Sequence, residues 1–423
     1  MTNIAFTLLA TLLVSPILTK ADEPNSALAR DVEVFPRGEP AKLGINADAL
    51  EKLRKRAEET SSAAVVIIKD GQLVADWDFG QKRGPIEAMS ATKSIVSLAI
   101  GRLVYAGKIK SVDQPVCDFY PEWKQGRKKN ITIRHLLNQT SGLQNVPSTG
   151  PEIYPSPDFV QLALAAELSD DPGSKFSYNN KAVNLLAGVV KQASGGIRMD
   201  QYLGKEIFEP LGIKDFSWTL DRAGNPHGMS GLQIRAIDLA KIGQMMLDRG
   251  SWKGKQILSE DWVRKSVEPS QEYYPLYGLL WWLHFQSATV SVTDDFISYF
   301  KNHGMTPSSV EKLEELKGKP IDIQTFQRTL LTIVLGDEPI NKNLDGLRDG
   351  PQLKPVVQGP LRSYEAQGYL GQFLVVVPRD RIVAVRMRRG PGGDDTALEL
   401  KRSFVDFADM VGKLADNPAG TKG

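Results

Sequence analysis

A single cysteine in 423 residues, Cys117, excludes any intrachain disulfide framework. It lies in "PVCDFYPEW", away from any cationic cluster, and reads as a packing residue rather than an activated thiol. Net charge is nearly absent too: 52 Lys and Arg against 50 Asp and Glu leave a formal +2, so no global field favours nucleic acid or an anionic membrane. There are only four histidines, His135, His227, His284 and His303, and they show neither metal-ligand spacing nor the neighbours of a triad base. His135, inside "TIRHLLNQTSGL", reads as a structural helix residue. The sequence has no G-x-S-x-G elbow, no H-E-x-x-H and no glycine-rich phosphate loop after a strand. Long hydrophobic runs are equally scarce. The one candidate, Ile4–Leu18, is short, is broken by Pro16 and is followed by Thr19 and Ala21. It reads as a secretory signal peptide over residues 1–21, cut near Ala21, although its n-region lacks Lys and Arg. The expectation is an exported protein with no stable membrane span after cleavage.

What is present is a regular pattern of elements. After a leader over 22–44, "INADALEKLRKRAEET" is an amphipathic helix capped near Asn46. "AAVVIIKDGQLVADWDFG" follows, two apolar runs joined by Asp70-Gly71, a strong hairpin signal. Near the other end, "GYLGQFLVVVPRDRIVAVRMRR" repeats that pattern around Pro378-Arg379-Asp380, and "TALELKRSFVDFADMVGKLA" closes as a helix. Hairpin and helix at both ends predict an α+β fold: an antiparallel sheet over 45–86 and 271–415, with a helical domain over 87–270 inserted in its middle. Helices are predicted at 90–106, 132–138, 157–167, 180–193, 198–208, 234–248 and 259–266. A polar, Gly/Pro-punctuated stretch at about 286–363 reads as an insertion into the sheet domain. One of its helices would begin with a capping box at Ser308 and Glu311, and the other is "IQTFQRTLLTIV".

Chemistry concentrates in three short segments. In "MSATKS", Ser90 opens an apolar helical run and Lys93 follows three positions later. A serine there can simply cap the helix. Alternatively it is a nucleophile whose base is Lys93, one turn on along the same face, deprotonated by desolvation and the helix dipole. In "SKFSYNNKAVNLLAGVV", Tyr178 and Asn180 lie in a polar loop before a helix. Tyr178 is either a half-buried anchor or, with its phenol pKa lowered opposite a lysine ammonium, a shuttle for the serine proton. Asn180 would hold the lysine and a substrate carbonyl. In "EAQGYLGQFLVVV", an edge-like strand, Ala366 and Gly368 either mark a bulge or admit a substrate backbone, with the Tyr369 and Ser90 amides as an oxyanion hole.

These segments, in this order, resemble the three motifs of the serine β-lactamase and penicillin-binding-protein superfamily. The chain is most similar to its class C β-lactamase-like branch, which includes esterases, D-amino-acid peptidases and 6-aminohexanoate-dimer hydrolase-type enzymes. "IRHLLNQTSGL", "GLQIRAIDLAKIGQMMLDRGSWKGKQILSEDWV" and "YGLLWW" resemble its connecting segments. The resemblance implies a β-lactamase/transpeptidase-like α/β sandwich beside an all-helical domain, with a cleft between them. It further implies an acyl-enzyme on Ser90, proton transfer by Lys93 and Tyr178, positioning by Asn180, and an oxyanion hole from the Ser90 and Tyr369 amides, without metal or organic cofactor. Where those relatives carry Lys or His at the start of the third motif, this chain has Ala366. The expectation is therefore a carboxylesterase or small-amide hydrolase acting on a small-molecule ester or amide. The rivals are a β-lactamase or DD-peptidase acting on penicillins or cell-wall peptide, and a catalytically silent relative that only binds a ligand.

Overall fold

The polar–apolar periodicity after Asn46 folds as α1 (Ala47–Glu59), and the Asn46 side chain accepts from the Ala49 amide. The structure is a computed structural model that describes residues 34–145, 149–342, 351–390 and 402–415; the expected signal peptide and the first part of the closing helix lie outside them. Asp70 and Gly71 both adopt left-handed backbone, φ 51° and 71°, and so turn β1 (Ala64–Lys69) into β2 (Gln72–Trp77). Three short strands come next in the middle of the chain: β3 (Ile86–Glu87), β4 (Phe216–Trp218) and β5 (Leu232–Ile234) form one small sheet. The ribbon of β6 (Ser251–Trp252) and β7 (Lys255–Gln256) follows. The main sheet is completed by β8 (Trp282–Val290), β9 (Ile321–Asp322), β10 (Val356–Gly368), β11 (Gln372–Val377) and β12 (Ile382–Met387), in the order β2-β1-β12-β11-β10-β8-β9. Pairing of β1 with β12, Val66 opposite Val385, joins the two ends of the chain.

Every residue of β11 and β12 is buried, which explains why they read as unbroken apolar runs rather than alternating ones. One face of the sheet, with Val65, Ile67, Phe373 and Val375, packs under α1 and the closing helix Phe407–Gly412. The other face, with Val66, Leu374 and Val385, packs under the Ala236–Leu247 helix and runs on into the helical region. At the centre of that region is α2 (Thr92–Tyr105), buried on nearly all sides, with Gly101 pressed on the Trp262 indole. The arrangement is the α+β sandwich with an adjoining helical region that the sequence predicts.

Within the stretch expected as an insertion, β8 and β10 run on as a paired ribbon to Thr289 opposite Val356, and β9 pairs on the outer side of β8. The helix Pro307–Glu314 has no side-chain cap bond, and the expected Ser308–Glu311 box is not formed. Thr306 is its N-cap residue, and the Thr306 hydroxyl donates to Asp337 instead. The second helix, Ile323–Gly336, is capped by Asp322, which accepts from Thr325.

Candidate active site

Ser90 lies in a single 3₁₀ turn, Met89–Ala91, that leads into α2. Met89 is held at φ 49°, a left-handed conformation that strains a residue with a side chain and turns the next one out of the helix line. Ser90 does not cap: Ala91 is the N-cap residue, without a side-chain bond, and the Ser90 hydroxyl meets Lys93 instead.

Lys93 Nζ is 3.0 Å from Ser90 Oγ and 2.8 Å from the carbonyl of Met229. Its side chain is 1% exposed, and this burial pushes the ammonium well below the usual lysine range. A neutral amine keeps an N–H for the Met229 carbonyl and turns its lone pair to the serine O–H. The Met229 carbonyl is aimed in turn by Asn184, whose Oδ1 accepts from the amides of Gly228 and Met229 at 2.9 and 3.1 Å.

Tyr178 is half-buried against Lys93, with Nζ 4.9 Å from the ring centroid, and its phenol is hydrogen-bonded to Ser90. The expected fall of its pKa is not what the site produces. Desolvation pushes the phenol up and outweighs the Ser90 bond, which lowers it. Burial thus favours the protonated phenol of Tyr178 and the uncharged form of Lys93.

Asn180 does not hold the lysine. Asn179 caps the helix Asn180–Ala193, and the Asn180 Oδ1 is buried with no hydrogen-bond partner among the described residues. The Met229 carbonyl takes the positioning role expected of it.

The third segment is not a sheet edge, since β10 lies between β11 and β8. Pairing with β8 nevertheless stops at Glu365 opposite Trp282, and Ala366, Gln367 and Gly368 pair only with β11. A local edge thus opens beside Ser90. The space beside Gly368 is used by the protein itself: a Cβ there would fall 2.3 Å from the Ala88 carbonyl and 3.0 Å from the Ala91 amide. Gly368 brings the strand against the nucleophile turn, and the turn Tyr369–Gly371 packs beside Met89–Ala91. Ala366 is fully buried in the core between the sheet and α2.

Two further residues were not legible as site residues. Arg386, fully buried on β12, donates to the carbonyls of Leu370 and Gly371, both at 2.7 Å, and so fixes the turn carrying the Tyr369 amide. Trp282 stacks on Tyr178 with ring centroids 5.8 Å apart. His135 is structural, as expected: its Nδ1 accepts from the Thr132 amide in a capping box. His227 is stacked on Phe159 and pushed down to about 4 by burial, so it is neutral at neutral pH. Among the described residues no group of His, Cys, Asp and Glu is placed to hold a metal, and no helix is long and apolar enough to cross a membrane.

The strained turn carrying Ser90, the buried Lys93 and the Tyr178 phenol meet where the antiparallel sheet adjoins the helical region, an arrangement of β-lactamase-like type. The chain belongs to the Beta-lactamase family, which it matches over residues 47–403. It is 24% identical over 260 residues to a 6-aminohexanoate-dimer hydrolase of Paenarthrobacter ureafaciens, a match that covers 57% of this chain and 66% of that relative's length, just under two thirds. Solved structures share the fold. A Bacillus anthracis protein named for 6-aminohexanoate-dimer hydrolase superposes with a TM-score of 0.62 at 17% identity, over 91% of this chain and 89% of that one. A penicillin binding protein from Bacillus halodurans superposes at 0.53 and 18% identity, over 82% and 96%.

Proposed function

We propose that this protein is an exported serine hydrolase that cleaves a small ester or amide through an acyl-enzyme on Ser90. The observation that carries the reading is the 3.0 Å approach of Ser90 Oγ to a buried lysine whose ammonium form is disfavoured. As Oγ attacks the substrate carbonyl, its proton passes to Lys93 Nζ, and the oxyanion accepts from the Ser90 and Tyr369 amides. Tyr178 gives its phenolic proton to the departing alkoxide or amine and regains one from the Lys93 ammonium. Water then attacks the acyl-enzyme, and the proton path runs in reverse. The unpartnered Asn180 Oδ1 is available to a substrate N–H. Among relatives, the one named as a 6-aminohexanoate-dimer hydrolase supports hydrolysis as the reaction class.

A fluorophosphonate should label the protein recovered from the extracytoplasmic fraction, with the adduct on the peptide containing Ser90 and the mature chain beginning near residue 22. Labelling that survives Ser90→Ala, or recovery of an uncut chain from cytosol, would refute the corresponding part of the reading.

Specificity follows from Ala366. A cation at that position would make a charged hydrogen bond to a substrate carboxylate worth roughly 1.5–3 kcal/mol, about ten- to a hundred-fold in transition-state binding. Alanine offers none, and its buried methyl leaves no room to place one without repacking the core. Kinetics on a matched pair of esters, with and without a carboxylate, should show the higher kcat/KM for the neutral one. A preference for the charged ester would sink the neutral-substrate reading and favour a penicillin-directed enzyme.

A further inference from the structure

Between the β8–β10 ribbon, the insertion and the closing helix lies a cavity of about 730 Å³ that no step above uses. Its floor is the β8–β10 ribbon, and its sides are the Ile323–Gly336 helix of the insertion and the closing helix Phe407–Gly412. Trp282 is a wall shared with the active site, lining the cavity while its ring stacks on Tyr178. Phe285 and Tyr274 extend that aromatic surface. On the floor is Glu365, only 4% exposed. One of its oxygens, Oε1, is 3.1 Å from His284 Nε2; the other, Oε2, is buried with no hydrogen-bond partner among the described residues.

A buried carboxylate oxygen without a donor is expensive unless something supplies one. A carboxylate in a cavity walled by aromatic rings suits a positively charged donor on an apolar body, since the nitrogen gains a charge-assisted hydrogen bond and the rings attract the cation. The cavity's own charges agree. Its five lining carboxylates outnumber its three guanidiniums and the His284 imidazole together, and the three arginines, Arg328, Arg362 and Arg379, are exposed whereas Glu365 is buried.

We propose that this cavity is a second, non-catalytic ligand site for a small organic ammonium, with the nitrogen donating to Glu365 Oε2 and the apolar body against Trp282 and Phe285. An anionic ligand of the same shape would set its charge against Glu365 and is excluded. A neutral alcohol could make the hydrogen bond but not the charge interaction, and should bind more weakly.

Calorimetric titration of the full chain with benzylamine, benzyl alcohol and benzoate tests this. Benzylamine should bind one per chain, the alcohol about ten-fold more weakly or worse, and benzoate not detectably. Glu365→Gln keeps the shape and should weaken benzylamine at least about ten-fold. Leu331→Trp fills the cavity from the insertion side and should abolish amine binding while ester hydrolysis continues; it keeps the test open if the Glu365 variant does not fold. Equal binding of benzoate and benzylamine would overturn the proposal. So would competitive inhibition of ester hydrolysis by benzylamine that is as strong in Leu331→Trp as in the unmodified protein, since the amine would then occupy the catalytic cleft.

Discussion

Lys93→Ala should lower kcat/KM by about a thousand-fold or more, and adding Tyr178→Phe should cost almost nothing further. Both side chains meet the same hydroxyl, Lys93 Nζ at 3.0 Å and Tyr178 by a phenol hydrogen bond, and in the proposed mechanism one proton passes between them in each half of the reaction. Once either is lost the other has nothing to exchange with. The single and double variants should therefore fall by similar factors, and losses that multiply would show two independent roles. The pH profile divides the labour. Lys93 must be neutral to act, so kcat/KM should rise with pH through a limb set by its depressed pKa, below the range of an exposed lysine. Tyr178 must keep its proton, and because burial raises its pKa, no alkaline limb should occur where an ordinary tyrosine titrates. An activity rise delayed to the range of an exposed lysine would contradict the buried-base assignment.

Gly368→Ala should cut kcat by on the order of a hundred-fold while leaving the protein folded. The added Cβ would sit 2.3 Å from the Ala88 carbonyl, and neither partner can rotate away, because both are backbone. Strand and nucleophile turn must separate, and a shift of about 1 Å between reacting groups costs roughly that factor in rate. Overpacking of this kind destabilises by about 1–3 kcal/mol, which a chain of this size tolerates. The comparison is kcat against the thermal midpoint. If kcat stays within about three-fold of the parent, the close contact does not set the catalytic geometry.

Local pattern carried the elements far. The helix predicted over 180–193 occupies Asn180–Ala193, and the Asp70-Gly71 signal lies at the turn between β1 and β2, because caps, turns and periodicity act within a few residues. Where local pattern gave way, the cause was distant chain. The polar flanks at 286–290 and 356–363 read as part of an insertion, yet they form a two-stranded ribbon, held by cross-strand pairing such as Ser287 with Gln358 that no short window contains. Ser308 lost its capping box because Thr306 took Asp337 as partner.

The same division runs through the site. The sequence by itself set the candidates: Ser90 and Lys93 are three positions apart, so the 3₁₀ turn leading into α2 brings them together locally, and the order of the three segments is covalent. Only the tertiary structure decided their state. The carbonyl that steadies Lys93 belongs to Met229, 136 residues away, and is aimed by Asn184 from another helix. Burial of Lys93, and with it the lowered lysine and the raised tyrosine pKa, exists only once the helical region closes over it. The neighbour that fills the space beside Gly368 and the donor missing from Glu365 were likewise invisible. Hydrogen-bond partners and desolvation depend on what the rest of the chain places within a few ångströms, and sequence spacing does not encode that distance.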